Sequence, residues 1–275
     1  MSSIRSSEAF PRPAGRRARI ALLWASTAAI AFAAWIVPPF AQPEAYHQFA
    51  DRREMLGIAN ALDVASNLAF LLVGVLGLVF VARGRQAAGR DAFLDSAERW
   101  AWGVAFLGTA LTCCGSGYYH LAPDSFRLVW DRLPMTIGFM GIVAAVLSER
   151  VSPQAGRRLL LPLVAVGLWS VWYWRWSAAH SVENLNPYGA VQFGSMLIIL
   201  LTLLLFPARY TRGSDFVVAV LLYGIAKAGE HFDRQIFDLT GQIVSGHTLK
   251  HLFAAAAIGW LLRMLWKRTP IEGLR

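Results

Sequence analysis

The chain has 275 residues, of which 56% are hydrophobic and 16% charged, with a formal net charge of +9. A soluble domain of this length carries nearer a quarter charged residues. The balance, with a mean hydropathy of +0.45, excludes an ordinary soluble domain and points to a chain held largely within a membrane.

About 20 mostly apolar residues make a helix long enough to cross a bilayer. Eight such runs are predicted, at 19–38, 62–82, 99–119, 129–148, 158–175, 188–206, 216–236 and 247–266. They leave no soluble domain of any size, so the expected fold is all-α, a polytopic membrane helical bundle. Residues 1–18 form a basic segment ahead of the first run. That run reads as a retained helix or signal anchor, although arginines before it and Pro38, Pro39 and Ala41 after it also fit a cleaved signal peptide. Cys113 and Cys114 are adjacent within the third run. Neighbouring cysteines rarely pair, so they are expected to be small packing residues. Residues 269–275 form a short tail.

The basic residues are not spread evenly. Arg5, Arg12, Arg16, Arg17 and Arg19, then Arg83, Arg85, Arg90 and Arg99, then Arg150, Arg157 and Arg158, then Arg209 and Arg212, and finally Arg263, Lys267, Arg268 and Arg275 lie in alternate connections. Short loops rich in Lys and Arg stay on the cytoplasmic side, which puts both termini in the cytoplasm. The positive charge is therefore a signal of threading, with attraction to anionic lipid at the cytoplasmic loops as a side effect, and no nucleic-acid partner is expected. Short loops and the lack of retrieval signals suggest a bacterial inner membrane. Nothing in the sequence sets the oligomeric state.

Ionisable side chains within membrane helices are costly and usually face a functional cavity. Asp63 and Ser66 open the second run, Ser116 and His120 close the third, and Asp131 opens the fourth. Lys227, Glu230, His231 and Asp233 lie in the outer half of the seventh, and His247 and His251 open the eighth. With this threading they all fall near the outer face, as expected of a shared pocket. Polar residues confined to one depth argue against a metal transporter. His180 falls in an external loop, where a solvated residue is expected, and the Trp and Tyr cluster from Trp169 to Trp176 fits an interfacial aromatic belt.

His247 and His251 are four residues apart and share one helix face. That spacing lets two imidazoles bind one metal ion; interfacial hydrogen bonding is the plainer reading. His120, brought to the same depth, would complete the three-ligand set of a catalytic zinc site. Asp131 could orient a water or take its proton, or it could pair with Arg132 or Arg127. Glu230, His231 and Asp233 could orient the histidines through hydrogen bonds, or form a charge network with Lys227.

The stretches Gly115-Ser116-Gly117-Tyr118-Tyr119-His120, Trp130-Asp131-Arg132 and His247-Thr248-Leu249-Lys250-His251 together resemble the alkaline ceramidases. These belong to a superfamily of seven-helix membrane hydrolases that includes progestin and adiponectin receptor-like proteins. The pattern is Ser four residues before a His, Asp eleven residues after that His, and HxxxH on the last helix. Ser66-Asn67-Leu68 is similar to the family's Ser-Asn-Leu. The resemblance covers 50–268 and implies a seven-helix core behind one extra N-terminal helix. It also implies zinc on His120, His247 and His251, Asp131 as general base and Ser116 as an oxyanion donor. Asp63 and Ser66 would support that site. The implied reaction is hydrolysis of a lipid amide, ceramide or a related N-acyl sphingoid lipid, with a receptor that keeps the metal pocket as the alternative. Asp51 and Glu54 resemble part of the family's calcium site, but Asn60 stands where Glu is expected and Arg52 and Arg53 add opposing charge, which speaks against calcium. Lys250, between the paired histidines, would snorkel to the headgroup region or read a substrate phosphate or carboxylate.

Overall fold

A computed structural model describes residues 15–86, 89–180 and 182–271. Arg5, Arg12, Arg275 and most of the basic N-terminal segment lie outside them. The described residues form helices α1 (Arg16–Ile36), α2 (Ala61–Ser66), α3 (Leu68–Arg83), α4 (Ser96–Leu121), α5 (Ser125–Arg150), α6 (Pro153–Ala179), α7 (Asn186–Leu205), α8 (Asp215–His231), α9 (Asp233–Leu239) and α10 (Gly246–Lys267), with a short 3-10 turn at Glu44–His47. Only isolated bridges represent β structure among them. Five helices are long and apolar enough to cross a membrane: α1, the run Ala61–Arg83 formed by α2 and α3, α5, α7 and α10.

Helix starts follow local chemistry. Asp95, Asp124, Ser152 and Ser245 each accept a backbone N–H of the first turn of α4, α5, α6 and α10, satisfying donors that no preceding turn can reach. The expected seventh span does not run unbroken. It stops at His231, turns at Phe232 and resumes as the seven-residue α9. The turn lets the Asp233 carboxylate accept the backbone N–H groups of Ala50 and His247, both at 2.8 Å.

Small residues let the helices approach closely. A Cβ on Gly108 or Gly141 of the α4–α5 seam would meet backbone atoms at 2.3 Å or 2.5 Å. Without a hydrophobic drive between helices in lipid, such close backbone packing is a main source of cohesion. Helix α1 lies against α7 and buries only Leu23, while Trp24, Phe32 and Trp35 are exposed. Two of its three arginines are anchored: Arg16 donates to Val151 O and Arg19 to Leu205 O.

At the end of the bundle opposite the histidines, Glu149 accepts from Arg268 at 2.6 Å and from the Trp102 indole at 2.7 Å. Glu98 accepts from Arg209 at 2.9 Å and from the Tyr210 hydroxyl. Arg209 and Arg268, read from sequence as loop charges, are therefore buried ion-pair partners. Their carboxylate partners sit on α4 and α5, which ties the α7–α8 connection and the end of α10 to the bundle.

Candidate metal centre

His120 occupies the last turn of α4, and His247 and His251 occupy the first two turns of α10. Their ring centroids lie 4.8 Å, 4.8 Å and 4.9 Å apart. One potential ligand atom from each lies within 4.8 Å of the others, and all three residues are buried. Both ring nitrogens of His120 lack a hydrogen-bond partner. A buried polar group in that state is rare and calls for a partner. Three neighbouring imidazoles offering nitrogens to one point are a donor set that fits a metal ion. A tetrahedral zinc with bonds of about 2.0–2.1 Å separates its nitrogens by about 3.3 Å, within small side-chain adjustments of this cluster.

The fold holds each ligand through groups on other elements. Asn60 Nδ2 donates to His120 O at 2.8 Å, satisfying a carbonyl left free at the end of α4. Ser66 Oγ meets His251 Nδ1 at 2.8 Å and Asp63 O at 3.0 Å. The serine has one proton and the Asp63 carbonyl can only accept, so Ser66 accepts from His251 Nδ1–H and leaves Nε2 free to ligate. Asp63 Oδ1 accepts from Thr248 Oγ1 at 2.6 Å and Ser245 Oγ at 3.2 Å, fastening α2 to the start of α10. Phe49 packs against His120 and His247 with its ring tilted to both, centroids 4.6 Å and 4.4 Å away. Gly246 is required where α8 and α10 cross, because a Cβ there would lie 2.2 Å from Gly229 O.

The other expected residues divide. Asp131 and Ser116 are both buried and share one cavity wall. Neither anticipated ion pair forms: Arg127 takes Asp124, and Arg132 takes the Gln42 carbonyl. Lys250 does not snorkel. It turns inward, 2.7 Å from Glu230 Oε1 and 3.4 Å from His247 Nε2. Glu230 also accepts from Lys227 and, at 2.9 Å, from Tyr46, so it belongs to a charge network, whereas Asp233 supports the backbone of His247. His231 is exposed, with its ring against Phe232 and apart from the three-histidine group; the turn that ends α8 carries it outward. Cys113 and Cys114 are free thiols outside that group.

The calcium-like residues are otherwise engaged. Asp51 takes Arg53 at 2.6 Å, and that hydrogen bond holds its carboxyl below the usual range. Glu54 is exposed and Asn60 serves His120. The Arg53 guanidinium also donates to Ile243 O, so a side-chain cation bridges these two segments.

A cavity of about 820 Å³ adjoins the cluster, with Ser116, Asp131, Glu230, Lys250 and His251 in its wall. Elsewhere it is mostly apolar, with Ile30 and Ala34 of α1, Phe193 and Leu197 of α7, Phe216 of α8 and Leu261 of α10. Its size falls in the ordinary range for ligand sites. Compared with known proteins, the chain matches no family model, no curated protein and no solved structure.

Proposed function

We propose that this protein is a zinc-dependent membrane hydrolase that cleaves the amide bond of a ceramide or related N-acyl sphingoid lipid, releasing a sphingoid base and a fatty acid. In this reading all eight long helices cross a bacterial inner membrane, α4, α6 and α8 included, as a seven-helix core behind α1. Both termini lie in the cytoplasm and the histidines near the outer face. The observation that carries the reading is a buried three-imidazole cluster that opens, through His251, onto an apolar cavity holding Asp131 and Ser116 at the same end.

Zinc on His120, His247 and His251 would supply a Lewis acid and an acidified water. The chain's own residues do the rest. The cavity takes the acyl chain and brings the amide carbonyl to the polar end, which removes the entropy of encounter from the chemical step. Asp131 accepts a proton from the attacking water as the new C–O bond forms, then returns it to the leaving nitrogen as the C–N bond breaks. Ser116 donates to the developing oxyanion, an interaction worth on the order of 3 kcal/mol.

The test combines metal analysis with lipid turnover on the purified full-length protein. Close to one zinc per chain is expected, with fatty acid released from N-acyl sphingoid lipids. Asp131→Asn keeps the zinc and loses about 10²- to 10⁴-fold in turnover. Zinc-bearing protein that hydrolyses no lipid amide or ester across a broad panel overturns the reading.

A further inference from the structure

Arg132 follows Asp131 on α5 and lines the same cavity. It is 4% exposed and forms no ion pair among the described residues. Its Nη2 donates to the Gln42 carbonyl, and its Nη1 has no partner at all. The guanidinium sits over the rings of Trp174 and Tyr188, 4.4 Å and 4.6 Å from their centroids, with Tyr46 at 5.8 Å. Aromatic faces offset part of the loss of hydration, but they cannot satisfy an in-plane N–H. A buried charge is normally paired and hydrogen-bonded. Even the partly buried Lys227 and Lys250 are paired, both taken up by Glu230. Arg132 is the buried cation of this cavity that still lacks an anion.

We propose that Arg132 is the anchor for an acidic group, a carboxylate or phosphate, on the amine portion of the lipid substrate. This rests on the lipid-amide reading above and narrows its substrate class. A planar guanidinium suits carboxylate and phosphate oxygens, which it can hold with two parallel N–H bonds. Nη1 is itself buried, so the incoming acid displaces a neighbour. Gln42 is the side chain to move, because the acid then replaces its neutral carbonyl on Nη2 and reaches Nη1 as well. With the acid on Arg132 and the catalytic carboxylate on the preceding residue, the amide nitrogen and its acidic substituent lie at one end of the cavity and the acyl chain along the apolar remainder.

The experiment uses full-length zinc-bearing protein and two matched pairs: N-palmitoylglycine with N-palmitoylethanolamine, and C16 ceramide 1-phosphate with C16 ceramide. In at least one pair the acidic member is expected to have the higher kcat/KM. Arg132→Gln should lower that acidic-over-neutral ratio by about tenfold or more, and Arg132→Lys should retain part of it. No acidic preference, or equal losses for both members in Arg132→Gln, overturns the proposal. Zinc content and thermal melting identify a variant that has failed to fold, in which case Arg132→Lys alone decides. Equilibrium binding of N-palmitoylglycine separates the two layers. If no lipid is hydrolysed, yet wild type binds this probe at least tenfold more tightly than Arg132→Gln, the hydrolase reading fails and the anion site stands. Inorganic phosphate serves as the headgroup-free control: binding of phosphate alone with the same dependence on Arg132 assigns the site to a free anion and overturns the lipid assignment.

Discussion

Replacing Ser66 with alanine probes the metal centre without touching a ligand. In the native chain the hydroxyl donates to Asp63 O and accepts from His251 Nδ1–H. Alanine leaves that N–H buried and unpaired, and the imidazole becomes free to rotate or to change tautomer. Groups that orient metal-binding histidines in this way are worth about 10- to 100-fold in metal affinity, about 1.4–2.7 kcal/mol at 1.36 kcal/mol per factor of ten. The fold without metal loses less, about 1 kcal/mol for one buried hydrogen bond. Competition against a chromophoric chelator measures the first quantity, and thermal melting of the metal-free protein the second. A zinc affinity within about twofold of wild type would refute the assignment of Ser66 as the group that sets His251, and with it the choice of Nε2 as ligand atom.

Gly246→Ala should displace α10 from α8, because the new methyl meets Gly229 O and the Asp233 backbone, neither of which can swing aside. The expected cost is about 1–3 kcal/mol, together with loss of bound zinc. At the far end, Arg268→Ala strands the Glu149 carboxylate and should cost about 3–5 kcal/mol, read as a lower melting temperature in detergent. If that variant melts like wild type, the buried clasp is not a source of cohesion.

Much of the helical plan and the three-histidine set is legible in the sequence. Long apolar runs place helices to within a few residues, and the four-residue spacings of Ser116 with His120 and of His247 with His251 put polar groups on common faces. Legibility failed where one segment's chemistry is completed by another. Asn60 looks like a defective calcium ligand until its amide is seen against the His120 carbonyl. Arg209 and Arg268 count as loop charges until Glu98 and Glu149, more than a hundred residues away, are found beside them. Glu230, His231 and Asp233 lie within one turn of sequence yet serve three different ends, because the helix stops between the second and third.

The sequence alone determined that this chain is apolar, helical and carries its ionisable side chains toward particular helix ends, since periodicity and the cost of burying charge act residue by residue. The tertiary structure decided which of those charges meet. Pairing depends on helix rotation, close glycine crossings and the turn at Phe232, and these follow from packing among distant segments. That is why three imidazoles converge while Arg132, beside the expected catalytic carboxylate, is left holding a glutamine and an unpaired N–H.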